Sequence, residues 1–264
     1  MTRGNGGEKR AFDALSLDLA ETLLWDTPEL SSRSTDARNQ VLSRIFRKPD
    51  GTAPSVEEIV RVREGLEAEW VRSGRPLASI RPTELIATMG VHLGAQRVVP
   101  EEEAVAAYAS AGLRENPPFI NPEAPALFRA LEEIGIPVVG ISNSQRSGRA
   151  WQSHLQESAG LRFTGIVTSS DLGVCKPDPW IFQEAARCVR VPPPRILHVG
   201  DRWRVDVQGA RGAGMSAALY RGLWSHYWTF WEGGAEMPPE DAHVPCLDHL
   251  GEILPLLGFP EERP

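Results

Sequence analysis

The chain has 264 residues, enough for a core domain with a smaller companion, and 41% of them are apolar, a globular rather than a disordered composition. A net charge of -7 excludes the basic face that a general nucleic-acid binder needs, and no apolar run approaches the ~20 residues that cross a bilayer. Residues 1–10 are polar and glycine-rich, so they read as a disordered tail and not as a secretory signal; three scattered cysteines without metal-site spacing (Cys175, Cys188 and Cys246) read as reduced thiols of a cytoplasmic protein.

Residues 14–19 form the first short apolar run, bounded by polar residues as a buried parallel strand is. From about 27 to 116 no strand is legible. Residues 35–47, 55–73, 82–93 and 100–111 have helical character instead, with Pro or Gly between them, and Ser55 with Glu58 three residues later makes a capping box. A helical block at this place predicts an inserted all-helical cap domain over 27–116, interrupting a core of 11–26 and 117–264. Residues 125–135 have a helical period at Ala126, Leu127, Ala130, Leu131 and Ile134. Apolar runs at 136–141, 165–168, 196–199 and 217–220 then alternate with helical stretches at 149–160, 179–190 and 205–214. Strand alternating with helix predicts a parallel sheet in a three-layer α/β/α, Rossmann-like core. Residues 223–239 carry Trp224, His226, Tyr227, Trp228, Phe230 and Trp231, an aromatic loop that would shape a pocket, a subunit contact or a cover over the core edge.

In open parallel sheets ligands bind beyond the carboxyl ends of the strands. Asp18 closes the first run, followed by Ala20, Glu21 and Thr22; Ser142 and Asn143 follow the second; Asp201 and Asp206 follow the fourth. Lys176 lies beyond the third run and is one of just three lysines, with Lys9 and Lys48. Three converging carboxylates would raise one another's pKa values unless a cation sat among them, and an all-oxygen donor set suits Mg²⁺. Lys176 would hold Asp18 ionised and bind an anionic group, and Ser142 would donate a further hydrogen bond. The set suits a carboxylate attacking an electrophilic phosphorus or carbon.

These motifs resemble those of the haloacid dehalogenase superfamily. Leu17-Asp18-Leu19-Ala20-Glu21-Thr22-Leu23 resembles the first motif and Gly140-Ile141-Ser142-Asn143 the second. Gly173-Val174-Cys175-Lys176-Pro177-Asp178-Pro179 resembles the third, and His198-Val199-Gly200-Asp201 through Asp206 the fourth. The match covers roughly 11–26 and 117–255, with the helical insert where that family's cap belongs. Singly the motifs are weak; all four in order are specific. The resemblance implies that Asp18 attacks a small phosphorylated substrate to give an aspartyl-phosphate. It implies that the Ala20 carbonyl and Asp201 ligate Mg²⁺ along with Asp18, supported by Asp206. Ser142 and Lys176 would bind the transferred group, with Thr22 and Asn143 also at the substrate.

Position 20 departs from the pattern. Family phosphatases usually carry a second aspartate there, which protonates the leaving group. A methyl moves no proton, and a positioned acid typically contributes ~10²–10⁴-fold in rate, roughly 3–5 kcal/mol. Four readings remain: a phosphatase with another acid, a phosphonatase-like enzyme using Lys48 as a Schiff base, a metal-free dehalogenase, or a catalytically weak binding protein. Lys48 reads as an exposed lysine beside a turn. His198 reads as a satisfied core histidine and His154 as a helix-surface one. Arg146 and Arg149 read as helix-surface arginines with a possible substrate contact, His92 as a cap residue, and Trp25 and Asp26 as pocket-lining residues at the cap hinge.

Overall fold

The computed structural model describes residues 10–222 and 243–259. The first apolar run becomes strand β1 (Ala14–Asp18), buried at all five residues, as a strand covered on both faces must be. A two-residue strand β2 (Leu24–Trp25) leads to helix α1 (Pro28–Ile45), which starts earlier than its apolar period suggests. Its first turns are polar, but Thr27 caps it by accepting a hydrogen bond from the Leu30 N–H, and Pro28 opens it at a position where no N–H is missed. Strand β3 (Phe46–Arg47), helix α2 (Val56–Arg72), helix α3 (Pro82–His92), strand β4 (Gln96–Arg97) and helix α4 (Glu101–Ser110) complete the insert. The Ser55–Glu58 capping box is present at the start of α2.

The antiparallel pairing of β3 with β4 corrects the expectation of a strand-free block. Two-residue strands are too short to carry a period. The insert has its own apolar cluster, including Leu42, Ile59, Leu66, Leu85, Met89 and Tyr108. Strand β5 (Phe119–Ile120) pairs antiparallel with β2, so the chain leaves and re-enters the core along adjacent strands. Trp25 stacks on Phe119 across that pair, at 5.2 Å between ring centres.

The rest of the core follows as α5 (Ala124–Ile134), β6 (Val138–Ser142), α6 (Gly148–Ala159), β7 (Gly165–Thr168), the short α7 (Ser169–Leu172) and α8 (Pro179–Val189). Strand β8 (Ile196–Gly200), α9 (Gly209–Gly212), β9 (Ser216–Tyr220), β10 (Cys246–Leu247) and α10 (Ile253–Leu256) complete it. The single helix expected at 205–214 is instead a π-helical segment, Trp203–Gln208, running into α9. The expected tail at 1–10, apart from Arg10, and the aromatic loop at 223–239 lie outside the described residues.

Six strands form one parallel sheet in the order β10-β9-β8-β1-β6-β7. Side-chain alternation sorts the layers: Leu15 and Leu17 pack with Leu127, Leu155 and Ile253 of α5, α6 and α10. Ala14, Val139 and Ile141 pack with Ile181 and Phe182 of α8 on the opposite face. The fold is therefore the three-layer α/β/α arrangement, with β1 where the strand order changes direction. Among the described residues no helix is long and apolar enough to cross a membrane.

Candidate active site

The sheet's turning point sets the site. The strands flanking β1 are β6 and β8, and Asp18 stands level with Ile141 in the parallel register. The carboxyl ends of β1, β6 and β8 thus put Asp18, Ser142 and the Gly200–Asp201 turn side by side, at the kind of crevice where open sheets bind ligands. Gly200 is required for packing: a Cβ there would lie 2.5 Å from Cγ of Asp206. That close approach seats Asp206 fully buried against the end of β8.

Lys176 reaches the same point from the loop before α8. Its main chain is clamped by the Asn143 amide, whose Oδ1 accepts the Lys176 N–H (2.7 Å) and whose Nδ2 donates to the Lys176 carbonyl (3.0 Å). Lys176 Nζ then donates to Asp18 Oδ1 at 2.5 Å, Asp206 Oδ1 at 2.6 Å and the Ile141 carbonyl at 3.3 Å. Asp206 Oδ2 also accepts the Arg202 N–H at 3.0 Å. His198 is buried, as a core histidine should be, with Nδ1 2.9 Å from the Ser16 hydroxyl and Nε2 3.5 Å from Asp206 Oδ1. A tautomer with its hydrogen on Nε2 lets Ser16 donate to Nδ1 and satisfies both contacts.

The charges are strongly coupled. Burial pushes the Asp18 carboxyl above the usual range, partly opposed by Lys176 and reinforced by Asp206. Burial, then Asp18 and Asp206, push Asp201 well above it. Burial acts against ionisation of Asp206 too, but Lys176 and His198 outweigh it and hold Asp206 low. Desolvation disfavours the Lys176 ammonium, yet the two carboxylates hold its proton more firmly than usual. One carboxylate oxygen each from Asp18, Asp201 and Asp206 lies within 4.8 Å of the other two. Three carboxylates, those of Asp18 and Asp206 buried and that of Asp201 partly exposed, against one ammonium leave excess negative charge in an all-oxygen donor set, which fits a small hard cation.

The remaining expected residues fall as follows. Ser142, at the end of β6, is buried. Ala20 is exposed, in a tight turn fastened by a bridge to Leu24 and by the Glu21 N–H donating to the Leu24 carbonyl at 2.6 Å. Glu21 takes a left-handed φ of 59° there. Thr22 is buried and its Oγ1 has no partner among the described residues, while its carbonyl accepts from Asn121 Nδ2 at 3.1 Å. Asn143 is committed to the Lys176 main chain. It positions the lysine, a role its place after the second motif did not suggest.

Several surface expectations are corrected. Arg146 is buried and ties the core to the insert: Nη1 donates to the carbonyls of Ala109 (2.9 Å) and Ala111 (2.7 Å), and Nη2 donates to Ser34 Oγ. Tyr108 Oη donates to Gln145 Oε1 at 3.3 Å and Arg81 donates to the Leu172 carbonyl at 2.5 Å, so the insert is fastened at the carboxyl edge of the sheet. The helical period placed Arg146 near a helix start but could not reveal carbonyls contributed by a different helix. Arg149, His92 and Asp26 are exposed. His154 is only partly exposed, with Nε2 buried against Trp151's side of α6 and without a partner among the described residues. Lys48 is paired with Glu58 at 2.6 and 2.8 Å instead of being freely solvated. An open groove of about 950 Å³ between α1, the end of α4 and α6 contains none of the three carboxylates.

Fold and site together define a doubly wound α/β protein with a carboxylate–lysine pair at the turning point of its parallel sheet. A family model described as haloacid dehalogenase-like hydrolase matches residues 12–214, and the chain belongs to that family. Haloacid dehalogenase-like hydrolase domain-containing protein 3 of Bos taurus is 32% identical over 140 residues, 52% of this chain and 51% of that protein. Glyceraldehyde 3-phosphate phosphatase of Methanopyrus kandleri is 36% identical over 91 residues, 34% of this chain and 39% of that enzyme. The chain thus spans about half the length of the first relative and less of the second. Among solved structures, a HAD phosphatase from Thermococcus onnurineus superposes with a TM-score of 0.57 at 20% identity, covering 94% of this chain and 99% of that one. A 2-haloacid dehalogenase from Pseudomonas syringae pv. Tomato gives 0.56 at 21%, covering 94% and 98%. Likeness at these identities is one of fold.

Proposed function

We propose that the protein is a Mg²⁺-assisted phosphohydrolase acting on a small, anionic, phosphorylated metabolite through an aspartyl-phosphate on Asp18. The observation that carries this reading is the Lys176 ammonium held between Asp18 and Asp206 beside Asp201. It combines a nucleophile, a fixed positive charge and hard-cation donors in one largely buried cluster. The phosphatase name of the Methanopyrus relative points the same way.

In this reading an Asp18 carboxylate oxygen attacks phosphorus. As charge moves from Asp18 to the phosphoryl oxygens, Lys176 stabilises it there, and the Ser142 hydroxyl donates to another oxygen. Asn143 sets where Nζ can reach by fixing the Lys176 main chain. Asp18, Asp201, Asp206 and the Ala20 carbonyl would hold Mg²⁺, which neutralises charge on the group in transfer. The insert at 27–116 would act as a cap that excludes water, anchored by Arg146, Tyr108 and Arg81. Thr22, whose buried hydroxyl lacks a partner among the described residues, would orient the substrate end of the turn. Pairing with Glu58 takes Lys48 away from Schiff-base chemistry, and a three-carboxylate cluster that could hold a cation favours a metal-assisted reaction over metal-free dehalogenation.

The test is phosphate release from a panel of phosphorylated metabolites, with Mg²⁺ or with EDTA, by the parent and by Asp18→Asn. Mg²⁺-dependent release that vanishes in Asp18→Asn is expected. Ligand binding without turnover would instead make the chain a catalytically silent member of its family.

A further inference from the structure

Resting on that reading and narrowing its substrate, we infer that the site acts on phosphates whose leaving group is itself acidic. Acyl phosphates, phosphoanhydrides and aryl phosphates share this chemistry; alkyl phosphates such as glycerol phosphate do not.

The inference comes from the hydrogen bonds around Asp18. Breaking the phosphorus–oxygen bond of an alkyl phosphate puts an electron pair on an alkoxide oxygen, which needs a proton as it departs. Lys176 cannot supply it, because its three N–H bonds are directed at Asp18, Asp206 and the Ile141 carbonyl. Asp206 accepts from Lys176 and from the Arg202 N–H, and offers no donor. His198 is wholly buried, its ring nitrogens turned to Ser16 and Asp206. Beyond Asp18, where the chain turns outward, Ala20 presents an exposed methyl. Glu21 follows in a left-handed turn fastened to Leu24. With Asp201 given to the cation in this reading, solvent water is the proton source left among these described neighbours of Asp18, and water is a poor acid.

An acidic leaving group removes the requirement. Asp18 Oδ bonds to phosphorus, the phosphorus–oxygen bond to the leaving group breaks, and its electron pair stays on a carboxylate, phosphate or phenolate that is stable unprotonated. Water then attacks the aspartyl-phosphate. The bond from phosphorus to Asp18 breaks, inorganic phosphate leaves, the carboxylate is restored and the proton released from water passes to solvent.

The experiment measures kcat/KM with Mg²⁺ for acetyl phosphate, inorganic pyrophosphate, p-nitrophenyl phosphate, phenyl phosphate and glycerol 3-phosphate. This ratio ends at leaving-group departure, so slow phosphate release does not mask it. Parent, Ala20→Asp, Glu21→Gln and Asp18→Asn are compared. In the parent, kcat/KM should fall as the leaving group becomes less acidic. In Ala20→Asp the glycerol-to-acetyl ratio should rise by ~10²–10⁴-fold, the usual contribution of a positioned acid. Equal use of glycerol and acetyl phosphates by the parent would overturn the proposal, and needs no variant to fold. So would loss of glycerol phosphate hydrolysis in Glu21→Gln, which would make that carboxyl the acid. If the parent turns over none of them, the phosphohydrolase reading itself falls and takes this inference with it.

Discussion

Replacing Lys176 with Met removes the ammonium that separates Asp18 from Asp206, at 2.5 and 2.6 Å. At an effective dielectric of about 20 each contact is worth roughly 6 kcal/mol of raw attraction, much of it offset by desolvation. Removing one member of a buried pair costs ~3–5 kcal/mol net, and that is the expected loss in metal-free buffer at neutral pH. Its pH dependence has a definite sign. Asp18 and Asp201 already stand above the ordinary carboxylate range, chiefly through burial, and Asp206 would join them without Lys176. A carboxyl raised on folding favours the fold below its unfolded pKa, and that gain is lost as pH rises through the folded value. The cost of Lys176→Met should therefore be full at neutral pH and shrink in mild acid. Urea unfolding followed by tryptophan fluorescence, in EDTA at both pH values, measures it. A cost under ~1 kcal/mol, the range of an exposed pair, would refute the reasoning, as would a cost that grows in acid.

Three further outcomes follow from the same geometry. Asn143→Ala frees the Lys176 main chain, at a cost of roughly 0.5–1.5 kcal/mol for each of two hydrogen bonds, and should lower kcat more than it raises KM. Steady-state kinetics beside urea unfolding separates the two effects. Mg²⁺ at a hundred times its Kd should stabilise the parent by ~2.7 kcal/mol, and Asp201→Asn should lose most of that gain; thermal unfolding reads it without any substrate. Arg146→Met deletes hydrogen bonds from one guanidinium to Ala109, Ala111 and Ser34, at ~1.5–3 kcal/mol for each charged bond, and should make the insert exchange its amides faster than the sheet does. Protection of the insert unchanged by that variant would mean Arg146 does not hold it.

The sheet was readable because buried parallel strands are short apolar runs with polar ends, and runs 165–168 and 196–199 lie within or match β7 and β8 nearly residue for residue. Boundaries failed where local signals were weak. The polar start of α1 hid Thr27 and Pro28, whose capping chemistry was nonetheless present. The π-helical segment before α9 has no periodicity distinct from an ordinary helix over six residues. The paired strands β3 and β4 and the edge strand β10 each consist of two residues, and pairing between distant segments defines them.

Chain order and residue type were enough to place Asp18, Ser142, Asp201 and their neighbours at strand ends, because a parallel strand's exit always lies on the same edge. They also revealed the methyl at Ala20, a covalent fact that no fold can alter. Which side chains bond to which was settled by packing alone. Asn143 holds the Lys176 backbone across 33 residues, His198 meets both Ser16 and Asp206, and Arg146 finds carbonyls more than 30 residues away. Such contacts depend on where distant segments come to rest, and the pattern around any one residue carries no record of that. The same is true of charge. Identical aspartates at 201 and 206 are driven in opposite directions, because Lys176 and His198 reach one and burial dominates the other.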